Sequence, residues 1–171
     1  MSRPADGYRV RRAGPADRDA VQRELAAYFA FLGETPDPAG LDHDVAEWEK
    51  EYGGDSGVFL VVADPAGEVV GTAGIRLLEP AVGELKRMWI RPGSRGLGLG
   101  RRLMDRCLEE ARALGCRILK LDSERRLEAA VHLYRSYGFK EIPDYNGNPR
   151  AEIWMEADLS RGENAKGAGT R

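Results

Sequence analysis

Hydrophobic and polar positions along the chain switch between two periods. Tyr8-Arg9-Val10-Arg11 alternates and predicts a first strand, which Gly14-Pro15 ends. Pro15 suits the first turn of a helix, and from 17 to 32 apolar residues recur at helical spacing, at Val21, Leu25, Tyr28, Phe29 and Leu32. A loop with Pro36 and Pro38 follows. Residues 41–52 predict a second helix with Val45 and Trp48 on one side, ended by Gly53-Gly54. The period then shortens. Residues 58–63 are apolar and rich in β-branched side chains, Asp64-Pro-Ala-Gly67 is a turn, and 69–78 is a second extended run. Two strands around so short a turn predict an antiparallel hairpin, and residues 84–91 add another strand, stopped by Pro92.

Residues 98–114 carry the clearest helical pattern. Leu99, Leu103, Cys107, Leu108, Ala111 and Leu114 make an apolar face, and Arg101, Arg102, Asp105, Glu109 and Arg112 a polar one. Gly115 fits its end. A strand at 118–121, a helix at 127–137 closed by Gly138, and an extended piece at 139–142 follow. Residues 151–159 alternate Ile153, Met155 and Ala157 against Glu152, Trp154 and Glu156, a half-buried last strand. The fold class expected is α/β (α+β): a mixed, mostly antiparallel twisted sheet of about seven strands flanked by about four helices. One domain over 1–159 is expected, with a polar, glycine-rich, disordered tail at 160–171.

Composition narrows the classes without naming one. A net charge of −2 gives no basic field for nucleic acid or an anionic membrane. No apolar run nears the roughly 18 residues of a membrane span, and no signal core opens the chain. Cys107 and Cys116 have neither metal-ligand nor redox spacing, which predicts reduced thiols and a cytoplasmic protein. His43 and His132 are far apart, so no metal site is expected.

The stretch that carries chemistry runs from Glu84 to Leu103. A strand leads into a loop rich in glycine and arginine and then a helix N-terminus, where backbone N–H groups lack partners and the helix dipole is positive. That is a cradle for phosphate. The P-loop is excluded because Leu99 occupies its lysine position, and the dinucleotide fingerprint because Arg101 or Leu103 occupies its last position. What remains is Arg-x-x-Gly-x-Gly at Arg95, Gly98 and Gly100, which resembles the pyrophosphate-binding motif of the GNAT superfamily of acetyl-CoA-dependent N-acetyltransferases. Leu133-Tyr134-Arg-Ser-Tyr-Gly138-Phe139 resembles that superfamily's second segment, and the order of elements over 8–159 is similar to its fold.

The resemblance implies a GNAT-like sheet with acetyl-CoA as cosubstrate. Arg95, Gly96, Leu97, Gly98, Leu99, Gly100, Arg101 and Arg102 would wrap the pyrophosphate, and the main chain of Met88, Trp89 and Ile90 would meet the pantetheine arm and acetyl group. It also puts Tyr134 beside the CoA sulfur as the acid, whereas by pattern alone Tyr134 is a residue of an amphipathic helix face. Glu84 is the candidate base or ammonium ligand; pairing with Lys86 and Arg87 would instead make it structural. Cys107, within the apolar face, is a buried thiol. Tyr28, Trp48, Tyr145, Asn146 and Trp154 are candidate walls for the acceptor.

The expected reaction is direct transfer of acetyl from acetyl-CoA to the primary amine of a small molecule. The alternatives are acetylation of protein N-terminal or lysine amines, and a non-catalytic acyl-CoA-binding module. A nucleic-acid binder using Arg87–Arg102 is disfavoured by the balanced charge. The last strand, 151–159, is read as an edge that could pair with a second copy in a homodimer.

Overall fold

A computed structural model describes residues 5–160; the tail expected at 160–171 lies outside them apart from Ser160. Seven strands form one sheet in the order β1-β2-β3-β4-β5-β7-β6. They are β1 Arg9–Arg12, β2 Gly57–Ala63, β3 Val69–Glu79, β4 Val82–Ile90, β5 Ile118–Ser123, β6 Lys140–Ile142 and β7 Ile153–Asp158. Only β4 and β5 pair in parallel. The helices are α1 Arg18–Leu32, α2 His43–Ala46, α3 Trp48–Glu51, α4 Leu99–Ala113 and α5 Glu128–Ser136.

Strand alternation sorts the side chains into two cores. On one face Leu60, Ile75, Leu85, Leu119 and Met155 pack with Leu99, Leu103 and Cys107 of α4 and Tyr134 of α5. On the other Phe59 and Val61 pack with Val21 and Leu25 of α1 and with Trp48 and Tyr52. The predicted apolar face of α4 is buried at Leu99, Leu103, Cys107 and Ala111.

Two expectations are corrected. The single helix over 41–52 is two short turns, α2 and α3, broken at Glu47 (φ −119, ψ 35). A continuous helix would hold residues 44 and 52 about 12 Å apart along its axis. The break lets the Tyr52 hydroxyl donate to Asp44 at 2.5 Å. Tyr52 also lies flat on β3 at Gly74, where a Cβ would stand 2.7 Å from the ring. The last strand, in turn, is not an edge: β7 lies between β5 and β6, and the edges are β1 and β6. Its alternation is right (Ile153, Met155 and Ala157 are buried), but pairing order depends on partners far along the chain.

Two features of the sheet position the site. β4 and β5 pair only from Val82–Glu84 to Ile118–Lys120, after which they diverge. β4 also bulges against β3: Gly74 faces Lys86 and Thr72 faces Trp89, so one residue of β3 opposes two of β4. Arg87, at the bulge, has φ +57, a left-handed conformation costly for a residue with a Cβ. The Thr72 hydroxyl donates to the Arg87 carbonyl at 2.8 Å and holds it there.

Candidate active site

The gap between β4 and β5 opens into two adjoining cavities. One, of about 590 Å³, runs along Met88, Trp89 and Ile90 to Arg95, Gly98, Leu99, Gly100 and Arg101, with residues 126–134 opposite. The other, of about 490 Å³, lies among Glu84, Lys86, Arg87, Asp122, Asn146 and Arg150. Both volumes suit a small ligand. Tyr28, Leu32, Met88, Leu127, Ala130 and Tyr134 line both, so the two meet along these residues, of which Tyr134 is one.

The first cavity is built by the glycine loop. Gly98 caps α4 in the left-handed region (φ +77), and Gly96 is left-handed as well (φ +80). The chain thereby turns sharply from β4 into α4 and presents the unpaired N–H groups of the helix's first turn. Leu99 is buried in the core, so only its backbone can serve a ligand. Arg95 stacks over Phe31 and Trp89, with its guanidinium carbon 4.5 and 5.0 Å from the ring centroids, and donates through Nε to the Ile90 carbonyl at 2.8 Å. Its Nη groups have no partner among the described residues. Arg101 reaches Ser136 Oγ at 3.3 Å over the Tyr137 ring. Gly96, Leu97 and Arg102 do not line this cavity, and Arg102 instead ties down the N-terminal segment through the Ala5 and Tyr8 carbonyls (3.1 and 2.8 Å).

Trp89 is held from behind. Its indole N–H donates to the buried Glu24 carboxylate at 3.1 Å, and Arg91 binds the same carboxylate. Tyr134 is 7 % exposed. Burial pushes its phenol well above the ordinary value, and the charges of Tyr28, Cys107 and Asp122 add to the shift. The phenol therefore keeps its proton at neutral pH. Burial likewise raises Tyr28, to about 12.

The second cavity is a lattice of ion pairs. Buried Arg87 binds Asp44 (2.7 and 3.0 Å) and Asp42 (3.1 Å), and its guanidinium carbon lies 5.3 Å from the Phe29 ring centroid. Burial by itself would raise the Asp44 carboxyl, but the bonds and charge of Arg87 outweigh it and bring it down to about 2. Arg150 reaches across to Asp42 (2.9 Å) and the Thr35 carbonyl (3.1 Å), strapping the loop before β7 to the loop after α1. Glu84 is only 2 % exposed. Arg76 (3.2 Å) and Lys86 (4.0 Å) flank one of its oxygens, and the Tyr145 hydroxyl donates to the other at 2.7 Å. Arg87, three residues further on, is spent on Asp42 and Asp44.

The expected acceptor walls divide. Tyr28 and Asn146 line the second cavity. Tyr145 and Trp154 act behind it, Tyr145 on Glu84 and Trp154 by donating to Asn146 Oδ1 at 2.9 Å. Trp48 is buried against Phe59 and lines neither cavity. Asp42, Asp44, Arg76 and Arg150 escaped the sequence reading. One signal was present for Arg87: two successive polar residues, Lys86-Arg87, inside an alternating strand mark a bulge.

The model of the Acetyltransferase (GNAT) family matches residues 20–139. The chain is 31 % identical over 149 residues to an uncharacterized N-acetyltransferase of Schizosaccharomyces pombe, covering 86 % of this chain and 91 % of that protein. It is 40 % identical over 147 residues to the IAA acetyltransferase of Azospirillum brasilense, covering 83 % and 92 %. Among solved structures, the yncA protein of Salmonella typhimurium, determined with its cofactor acetyl-CoA, shares the fold at a TM-score of 0.71 and 21 % identity, covering 90 % and 95 %. With a sheet splayed at β4 and β5, a glycine loop opening α4 and these relatives, the chain belongs to the GNAT acetyltransferase family and is an acyltransferase.

Proposed function

We propose that residues 1–159 form one catalytic domain that transfers acetyl from acetyl-CoA to a primary amine of a small molecule, within a ternary complex. The observation that carries this reading is the position of Tyr134, the shared wall of a cavity built by the glycine loop and a second, charged cavity. The first would hold CoA. Its pyrophosphate would lie on the N–H groups of Leu99, Gly100 and Arg101, with Arg95 and Arg101 supplying charge. The pantetheine arm would follow the main chain of Met88–Ile90 into the gap that β5 leaves open, as an added strand would. The acetyl-CoA held by the Salmonella fold neighbour supports the choice of cosubstrate.

Tyr134 would then protonate the departing thiolate. Its buried phenol keeps its proton until a stronger base forms beside it. Arg101 would hold phosphate, while Arg102 would act by anchoring residues 5–8 rather than by contact. Glu84 would serve as framework, because its oxygens are already occupied by Arg76, Lys86 and Tyr145.

A small acceptor is favoured over a protein because Arg150 straps two loops together at the second cavity. Each cation lining that cavity has a carboxylate within 4.0 Å, whereas Asp122 and Asp37 have no cation that close among the described residues. Such a lining selects a positively charged amine.

The test has two stages. Acetyl-CoA should raise the melting temperature, since a ligand of the native state stabilises by RT ln(1 + [L]/Kd). Thiol release from acetyl-CoA is then screened against polyamines, aminoglycosides, amino acids and short peptides. No thermal shift sinks the cosubstrate site. A shift without thiol release on any amine points to the non-catalytic module, and release on peptides alone points to a protein substrate.

A further inference from the structure

Transfer to an amine needs a group that receives the acceptor's ammonium and removes a proton from it, and Glu84 is enclosed by protein donors. A second carboxylate lies across the gap on β5. We propose that Asp122 is the catalytic residue that binds the acceptor's primary ammonium group and takes its proton; the inference rests on the acetyltransferase reading above.

Asp122 lines the second cavity. Unlike Glu84, it has no lysine or arginine within 4.0 Å among the described residues. Its Oδ2 accepts from two neutral amides, Asn146 Nδ2 at 2.5 Å and Asn148 Nδ2 at 3.3 Å. Its Oδ1 has no hydrogen-bond partner among the described residues. The carboxylate is therefore held by one oxygen and open at the other.

The clamp is itself oriented. Trp154, paired with Asp122 across β5 and β7, donates to Asn146 Oδ1 at 2.9 Å. That fixes the amide with its NH₂ toward the carboxylates, and a long contact of 3.5 Å reaches Glu84 Oε2 as well. Neutral donors hold the carboxylate in place without cancelling its charge, so the charge remains for a cation in the cavity. Asp122 is near enough to Tyr134 for its field to help keep that phenol protonated. The other charged groups lining this part of the cavity are committed: Glu124 to Arg126 (2.9 Å), Arg150 to Asp42 (2.9 Å) and Glu34 (3.6 Å), and Lys86 to Glu84 (4.0 Å).

The step balances as follows. The R–NH₃⁺ group donates to Asp122 Oδ1 and gives it one proton, leaving R–NH₂. The nitrogen lone pair attacks the thioester carbonyl carbon, and the C–N bond forms. The C–S bond then breaks, and the thiolate takes the Tyr134 proton to become CoA–SH. The second nitrogen proton restores the phenol, and Asp122 releases its proton to solvent. The products are the amide, CoA–SH and one proton.

The experiment uses the amine with the fastest thiol release in the screen. Asp122→Asn keeps the shape of the side chain and removes its charge. It should lower kcat/KM for the amine by about 10²-fold or more, with KM for acetyl-CoA and the acetyl-CoA thermal shift unchanged. Asp122→Glu should recover part of the loss. If Asp122→Asn turns over the amine as the wild type does, the assignment of Asp122 is overturned and the acetyltransferase reading stands. If Asp122→Asn loses the thermal shift, the comparison passes to Asp122→Glu with the shift retained: kcat/KM well above that of Asp122→Ser supports the assignment, and equal values overturn it. A wild type that releases no thiol with any amine overturns the acetyltransferase reading and this assignment with it.

Discussion

The two cavities that meet at Tyr134 are built in opposite ways. The glycine-loop cavity is largely local: Met88 to Arg101 is one stretch of chain, and residues 126–134 supply the facing wall. The second cavity draws on the loop after α1, on β3, β4 and β5, and on the loop before β7. The first is built from backbone N–H groups and left-handed glycines, which tolerate changes in most side chains. The second works through charged side chains whose value depends on their partners. A local site is therefore robust and legible, whereas a dispersed one is fragile and is revealed only by contacts.

The sharpest way to break this contrast is Arg87→Met. It strands buried Asp44, while Asp42 keeps Arg150, and removing one partner of a buried pair costs about 3–5 kcal/mol. Denaturant unfolding should show that loss, together with a raised KM for the amine; an unchanged midpoint would remove the ion lattice from the framework of the second cavity. The same lattice gives a pH signature. The Asp44 carboxyl is lowered in the fold to about 2, below the ordinary carboxylate range near 4. Its contribution is therefore complete above about pH 4 and fades as pH falls through 2. Unfolding of the wild type between these values should lose stability that Arg87→Met has already lost.

Tyr134→Phe tests the shared wall. Turnover should fall by about 10²-fold or more while acetyl-CoA affinity holds, as steady-state kinetics and calorimetry would show. Unchanged turnover would mean that Tyr134 only packs. Gly98→Val tests the local cavity. A β-branched residue at φ +77 is strained by about 1–2 kcal/mol, so the acetyl-CoA thermal shift should shrink, with the amine KM little changed. An equal rise in both KM values would erase the distinction between the cavities. Arg102→Ala should have the smallest effect. Acetyl-CoA affinity should stay close to wild type, because the side chain serves the Ala5 and Tyr8 carbonyls. A tenfold weaker affinity would return Arg102 to the phosphate site.

What could be read in advance follows the same division. Strands and helices were visible because a period of two or of about 3.6 is a property of neighbouring residues, as the faces of β7 and α4 show. The glycine loop was visible because its geometry needs glycine at fixed spacing. The role of Glu84 was not, since base, ammonium ligand and framework differ only in what surrounds the carboxylate. Its donor Arg76 faces it only through the register of β3 on β4, and its donor Tyr145 lies 61 residues further along the chain. Asp122 carries no local mark: by pattern it is one polar residue near the end of β5.

By itself, then, the sequence determined the family, the order of elements, the glycine loop that opens α4 and Tyr134 on its helix face, because each rests on local stereochemistry or on a short contiguous pattern. Tertiary structure alone decided that β7 is interior, that residues 41–52 break at Glu47 and that Arg87 takes a left-handed bulge pinned by Thr72. It also decided which carboxylate is enclosed and which is open. Those outcomes come from strand pairing and charge pairing between distant segments, and a charge has no fixed role until the fold gives it neighbours.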